Sequence, residues 1–287
     1  MLHRSTIQLL RFHFSFFLLP VYLFALSQIN QINLYNALLV FFILHFLVYP
    51  SSNGYNSYMD RDTTPIGGLK TPLQPTRELF HVTLIMDILA ILLSSLLGFY
   101  FMLGIFLYIL ASRAYSYRGL RLKKYPVTGY LTVIIFQGAL VFILAYHGSS
   151  TDHSLDLPLL PVIAAACLIG GYYPLTQIYQ HAEDLQDGVK TLSYTLGKKG
   201  TFVFCGIVFA TATLCMYLTF WQKENLWQFG VFAVCMTPVI VFFTRWMFLV
   251  RKDEKNANFR FSLAMNIIAA ACTSICFGLL IIMNHFE

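Results

Sequence analysis

Asn53-Gly-Tyr-Asn56-Ser-Tyr-Met-Asp60-Arg-Asp62 closes the second long apolar run of the chain, and Gln177-Ile-Tyr-Gln180-His-Ala-Glu-Asp184-Leu-Gln-Asp187-Gly188 closes the sixth. On a helix, Asn53, Asn56 and Asp60 fall at i, i+3 and i+7, so they share one face. A helix continued through the second stretch puts Gln177, Gln180, Asp184 and Asp187 on one face in the same way. Two such stripes of amide and carboxylate oxygens, facing each other, make a site for a hard cation. The remainder of the chain is read as the scaffold that brings them together.

That scaffold is a membrane protein. Of 287 residues, 57% are hydrophobic and 11% charged, with mean hydropathy +0.66. Soluble domains carry roughly 25% charged residues. Nine segments reach the roughly 20 apolar residues that a spanning helix needs, at about 8–28, 35–56, 79–97, 98–114, 126–146, 158–180, 201–221, 226–249 and 260–283. The third and fourth meet around Gly98. The first run, Leu9 to Ser27, is long enough to span and is read as a retained helix rather than a cleaved leader. The expected fold is therefore all-α and integral to the membrane, one domain over 1–287, with nine helices around a central lipid-accessible cavity.

Charge gives the orientation. With nine spans, every Lys and Arg except Lys223 falls on the side of the N-terminus and of loops 2–3, 4–5, 6–7 and 8–9. The positive-inside rule makes that side cytoplasmic and puts the C-terminus outside. Both polar stretches then lie at the cytoplasmic face. The net charge of +6 is distributed as membrane topology, not as a nucleic-acid patch, so no nucleic acid is expected as a partner. Short loops lean towards a bacterial inner membrane. The six cysteines all sit in apolar runs, and Cys272 and Cys276, four apart, lack acidic or His partners.

After Asp62 and Thr64 comes Pro65-Ile-Gly67-Gly68-Leu-Lys70, a glycine loop suited to bringing N–H groups and an ammonium to a phosphate. The second stretch continues as Asp187-Gly188-Val-Lys190-Thr191-Leu192, where one helix stops and another starts. This Asp-x-x-x-Gly-x-x-Thr-Leu pattern resembles the second aspartate-rich motif of the UbiA-type membrane prenyltransferases. Asn56-x-x-x-Asp60 resembles their first. Tyr115-Ser116-Tyr117-Arg118-Gly119-Leu-Arg121-Leu122-Lys123 is similar to the basic element that precedes the fifth helix in that family.

The resemblance implies transfer of a polyprenyl group from its diphosphate to a hydrophobic, aromatic or lipid acceptor, with Mg²⁺ as cofactor. It assigns metal and catalytic roles to Asn56, Asp60, Asp184 and Asp187, with Asp62 as a further ligand. Lys70, Arg118, Arg121, Lys123 and Lys190 become phosphate-binding residues, and Asn53, Tyr117 and Gln180 orient substrate. The chain departs from the family pattern at Thr64, Gln177 and Gln180, which stand at usual acidic positions, and this implies fewer or more weakly held Mg²⁺ ions. A cyclase or lyase on the same scaffold and a non-catalytic isoprenoid carrier are the alternatives.

Other residues have roles expected from position alone. Asp87 lies inside the third span, neutral, paired with another helix, or close to the acceptor. His45 is a packing residue or lines the cavity. Arg11 and His13 are read as interfacial anchors, Pro20 and Pro50 as kinks, and His181 as a possible base beside the second motif.

Overall fold

The computed structural model describes residues 2–285. Among them, nine helices are long and apolar enough to cross a membrane: α1 Arg4–Gln28, α2 Leu34–Asp60, α3 Arg77–Leu97, α4 Phe99–Ser116, α5 Pro126–Ser149, α6 Leu159–Gln177, α7 Leu192–Gln222, α8 Leu226–Lys252 and α9 Phe259–His285. The protein is an integral membrane protein. The junction of α3 and α4 falls at Gly98, whose φ of 101° is open to glycine and strained for any side chain. α7 begins earlier than its hydropathy implies. Thr191 caps it by accepting from Tyr194 N–H at 3.2 Å, and a non-helical Gly197 (φ 68°) bends it one turn later.

Consecutive helices pack side by side, and α9 returns against the second half of α1, closing a ring. Large apolar side chains such as Leu84, Ile88, Leu92, Ile207, Val234 and Ile240 face outward. A continuous apolar exterior of this kind belongs in hydrocarbon. One end of the ring is shut. There α1, α2 and α5 converge, with Asn33 N–H donating to Ser149 O at 2.9 Å and Thr151 N–H to Gln31 O at 3.1 Å. Phe24, fully buried, stacks on Phe277 at 4.5 Å and meets Phe142 edge-on at 5.0 Å, plugging the centre. The other end carries the two polar stretches and is hollow.

Three helices lose regular α geometry on the way to that hollow. In α1, Arg11 is left-handed (φ 48°) and Phe12–Phe17 is a 3₁₀ segment, after which Pro20 opens a fresh α segment. In α2, a π segment, Ile43–Val48, comes directly before Pro50. Each proline lacks the N–H that would bond the preceding turn, so the distortion sits on its N-terminal side. In α5, Ile134–Leu140 is also π-helical, with no proline involved.

Candidate active site

Asn56 and Asp60, one turn apart at the end of α2, form the first wall. Asn56 Nδ2 donates to Asp60 Oδ2 at 2.9 Å and to Ser116 Oγ of α4 at 3.0 Å. One turn back, the hydroxyls of Ser52 and Ser112 hydrogen-bond at 2.7 Å. Two rungs therefore fix α2 against α4 along the face that looks inward. Arg61, left-handed at φ 56°, ends α2, and Asp62 turns back into the hollow.

The second wall is built differently from the expected continuous stripe. α6 stops at Gln177, the chain turns with Gln180 N–H donating to Gln177 O at 2.9 Å, and a short helix, His181–Gln186, follows. Gly188 (φ 70°) ends it, with Val189 N–H bonded to Asp184 O at 2.7 Å and Gly188 N–H to Leu185 O at 3.1 Å. The break puts Gln177, Gln180 and Asp184 on the lining and turns Asp187 away from it. Asp187 is ion-paired with Arg121, which also reaches Asp60 Oδ1 at 3.3 Å and Asp187 O at 3.0 Å. Arg121 thus joins the two polar stretches. Burial raises the Asp187 carboxyl, and the Arg121 and Arg118 guanidiniums outweigh that and hold it below its ordinary value.

Between the walls lies a cavity of about 190 Å³, into which Asn53, Asn56, Asp60, Asp62, Gln180 and Asp184 project. Its cations are Lys123, paired with Asp60, and Arg11. The sequence reading of Arg11 as an interfacial anchor is corrected. The break in α1 turns it inward, 6% exposed, and its guanidinium donates to Gly67 O and Asn53 O, each at 3.2 Å. The glycine loop accordingly presents carbonyls to Arg11, and to His13 through Gly68 O, and is closed by paired bonds between Ile66 and Leu69. Gln180 Nε2 donates to Pro65 O at 3.2 Å, tying loop 6–7 to loop 2–3 over the cavity.

The electrostatics call for a cation. Burial, then Asp60 and Glu183, push the Asp62 carboxyl up to about 6 despite Lys123 and Arg11. Burial, with Asp62, Asp60 and Glu183, raises Asp184 to about 7 against the pull of Lys123. Arg11 Nε, Asn53 Nδ2 and Gln177 Oε1 are buried without hydrogen-bond partners, as in a site shaped for a polar ligand. Among the described residues no three His, Cys, Asp or Glu side chains are grouped tightly enough to hold a metal by themselves. The oxygen donors fit a hard divalent ion that takes one or two carboxylates from protein and the rest from a ligand.

Several expected site residues lie elsewhere. Lys70 and Lys190 are exposed and do not line the cavity, although Lys190 sits between Val189 and Thr191, which do. Arg118 is exposed and donates to Met59 O at 2.7 Å. Tyr117, just past the end of α4, is 53% exposed, whereas Tyr115 is inside and hydrogen-bonded to Tyr173 of α6. His45 is buried among Phe41, Tyr22 and Tyr49 rings, away from the cavity. His181 bonds Ser193 Oγ at 2.8 Å, and burial, then Lys198, lowers its pKa to about 4. The missed lining residues are Arg11, Tyr115, Gln137 and Tyr173. Of these, only Gln137 carried a signal in sequence, as an amide in mid-span.

Residues 15–270 match the UbiA prenyltransferase family. The chain belongs to that family. A UbiA homologue from Archaeoglobus fulgidus bound to DMAPP and Mg²⁺ superposes with TM-score 0.71 at 19% identity, over 96% of this chain and 99% of that one. A digeranylgeranylglyceryl phosphate synthase gives 0.65 at 20% identity, over 98% of each chain. The apo UbiA homologue from Aeropyrum pernix K1 gives 0.63 at 21% identity, over 91% and 96%. At these identities the likeness is one of fold. No curated protein sequence matches the chain significantly.

Proposed function

We propose that this UbiA family member transfers a prenyl group from its diphosphate to a hydrophobic acceptor in a Mg²⁺-dependent reaction. One observation carries the reading. A polar chamber with paired aspartates, amides and two cations opens, through Tyr173 and its neighbours, into an apolar chamber between the helices. An allylic diphosphate has the same division. Homologues of this fold from Archaeoglobus fulgidus bind DMAPP or GPP together with Mg²⁺, which supports it. The positive-inside bias puts the polar chamber at the cytoplasmic face.

Asn56, Asp60, Asp62 and Asp184 hold the metal, with Gln180 at its margin. When bound, Mg²⁺ neutralises charge on the diphosphate. Lys123 has three donors and Asp60 takes one, so it also reaches phosphate oxygens, as does Arg11. Asp187 holds Arg121 in place, and Lys70, Lys190 and Arg118 draw the anion to the rim. In the transfer, the bond between allylic C1 and the diphosphate oxygen breaks and its electron pair leaves with diphosphate. A new bond joins C1 to the acceptor, whose proton passes to the departing diphosphate. Phe14, Phe136, Tyr115 and Tyr173 offer ring faces to the developing cation and keep water from it.

The test is diphosphate release by protein in nanodiscs from a series of allylic diphosphates, with membrane extract as acceptor. Release that requires Mg²⁺ is expected. None at any chain length would defeat the reading.

Arg11→Ala should weaken donor binding about 10–100-fold, the scale for residues that position a metal or phosphate site. Arg11→Lys should restore little, because one ammonium cannot span the Gly67 and Asn53 carbonyls as the fork does. Dissociation constants for a non-reactive thiolodiphosphate measure this directly. Full binding by the alanine variant would remove Arg11 from the donor site.

Mg²⁺ binding should be strongly pH-dependent. Both raised carboxyls are protonated below their pKa values of about 6 and about 7, so a cation must displace protons there. Affinity should tighten as pH rises from 5.5 to 7.5, by up to about tenfold per unit for each proton displaced. Calorimetry in two buffers of different ionisation enthalpy counts those protons. A pH-independent affinity would place the metal on other groups.

A further inference from the structure

A groove of about 300 Å³ lies between α7 and α8, floored by Leu168 and Tyr172 of α6. Those two side chains also line the apolar chamber behind the polar one, and stand between the two spaces. Aromatic contacts brace the floor, with Phe209 of α7 meeting Tyr172 edge-on at 4.8 Å and Phe243 of α8 at 5.6 Å. No charged side chain lines the groove, and the Thr213 hydroxyl is spent on Phe209 O at 2.9 Å. Ile240, on its edge, faces outward, so the groove opens to lipid. Gly206 leaves room in it, since the nearest atom to a Cβ there is Phe243 Cε1 at 3.9 Å.

Helical period carries both walls of the groove to the end of the ring that holds the polar chamber. Lys199, Val203, Gly206, Ala210 and Thr213 fall at i, i+4, i+7, i+11 and i+14, one face of α7 beyond its bend at Gly197. Ile240, Thr244 and Arg251, at i, i+4 and i+11, share a face of α8 beyond Pro238. Each wall therefore ends in a cation. Lys199 and Arg251 are exposed, and among the described residues neither forms an ion pair. Arg251 lies over the Phe248 ring at 6.0 Å. Lys198 Nζ donates to Glu254 O at 3.3 Å, which ties the first turns of α7 to the turn after α8 and keeps the two cations at neighbouring helix ends. Of the carboxylates in that turn, Asp253 accepts from Lys255 N–H at 3.0 Å, and Glu254 is outnumbered by Lys198, Lys252 and Lys255.

Depth and charge together name the occupant. Along the helix, Gly206 is about 10 Å and Thr213 about 21 Å from Lys199, at 1.5 Å per residue. Half of a bilayer's hydrocarbon core is about 15 Å. The groove thus lies at the acyl-chain depth of the leaflet whose headgroups stand level with Lys199 and Arg251. Basic residues at that level attract anionic headgroups. A zwitterionic headgroup brings its own cation and gains less from the pair. A prenyl tail reaching across Leu168 and Tyr172 from the polar chamber would leave both cations unused.

We infer that the groove between α7 and α8 binds an anionic phospholipid of the bilayer, with an acyl chain against Gly206 and Ile240 and the headgroup phosphate on Lys199 and Arg251. The site is separate from the polar chamber, and the inference does not rest on the prenyl-transfer reading. Gly206 and Ala210 give the chain a close approach to the α7 backbone, where van der Waals packing holds it. The cations select which lipid of the leaflet stays.

Native mass spectrometry of the full-length protein, titrated in detergent with phosphatidylglycerol or phosphatidylcholine, tests this. One phosphatidylglycerol should be held about thirtyfold more tightly than phosphatidylcholine, the scale for two cations at a headgroup. Lys199→Gln and Arg251→Gln, at exposed positions, should each remove about fivefold of that preference. Arg77→Gln, at the start of α3, which packs on α1, α2 and α4, should remove none. Gly206→Leu should fold, because leucine is the better helix former and meets open space, and it should lose the retained lipid whatever the headgroup. Equal retention of the two lipids, a preference that survives both glutamine variants, or wild-type retention by Gly206→Leu overturns the inference. A loss in Arg77→Gln equal to that in Lys199→Gln overturns it too, since general surface charge would then suffice. Displacement of the lipid by geranylgeranyl thiolodiphosphate would give the groove to a donor's tail, and a lipid-free dimer would give it to a second copy of the chain; either result overturns the inference.

Discussion

Asp60→Ala protein should release diphosphate at least about 10³-fold more slowly than wild type, the scale on which losing stabilisation of a developing charge is felt. Asp60 is where the site's charges converge. Lys123 pairs with Oδ2, which also accepts from Asn56 Nδ2, and Arg121 approaches Oδ1. Its side chain is 4% exposed, so water cannot take the place of the lost carboxylate. Asp184→Ala should cost a similar factor, since among the described residues it alone brings a lining carboxylate from the α6–α7 side. Asp187→Ala is the informative contrast. It acts through Arg121, so the expected loss is about tenfold, the lower end for a supporting residue. Equal losses for Asp60 and Asp187 would mean that Asp187 reaches the metal directly. Retained Mg²⁺-dependent release by Asp60→Ala would take the reaction away from this cavity.

The fold could be read from the chain because bilayer thickness fixes helix length, and hydropathy reports it. All nine spans, and the junction at Gly98, follow from that constraint. The first wall was legible for a similar reason, since α2 stays regular from Tyr49 to Asp60 and periodicity alone puts Asn53, Asn56 and Asp60 together. The second wall was not. No spacing rule shows that α6 stops at Gln177 and restarts at His181, and the restart is what parts Asp184 from Asp187. Arg11 is itself the left-handed residue in a helix that looks continuous, and position alone marks a basic residue near a helix start as an anchor. Tyr115 and Tyr117 differ by two positions. Only the end of α4 at Ser116 decides which of them faces inward. In each case local backbone geometry, invisible to composition and period, chose the site residue.

The other large effect is on stability. Asp87 on α3 and Arg113 on α4 form an ion pair within the membrane-spanning region, with side chains 8% and 20% exposed. Ser51 of α2 closes the network, accepting from Arg113 at 2.9 Å and bonded to Asp87 Oδ1 at 2.5 Å, while the guanidinium lies 4.0 Å over the Tyr55 ring. Asp87→Ala leaves that guanidinium buried and uncompensated, which should destabilise the protein by about 3–5 kcal/mol. Unfolding in detergent with a graded denaturant reads the loss. Asp87→Leu combined with Arg113→Met should recover most of it, because apolar groups of similar volume carry no desolvation cost. Turnover should return with stability. The rungs between Ser52 and Ser112 and between Asn56 and Ser116 still hold α2 on α4 and keep Asn56 aimed at the cavity. If single and double variants were equally unstable, packing rather than charge would be the source. If the double variant folded as well as wild type yet released no diphosphate, Asp87 would belong to the reaction after all.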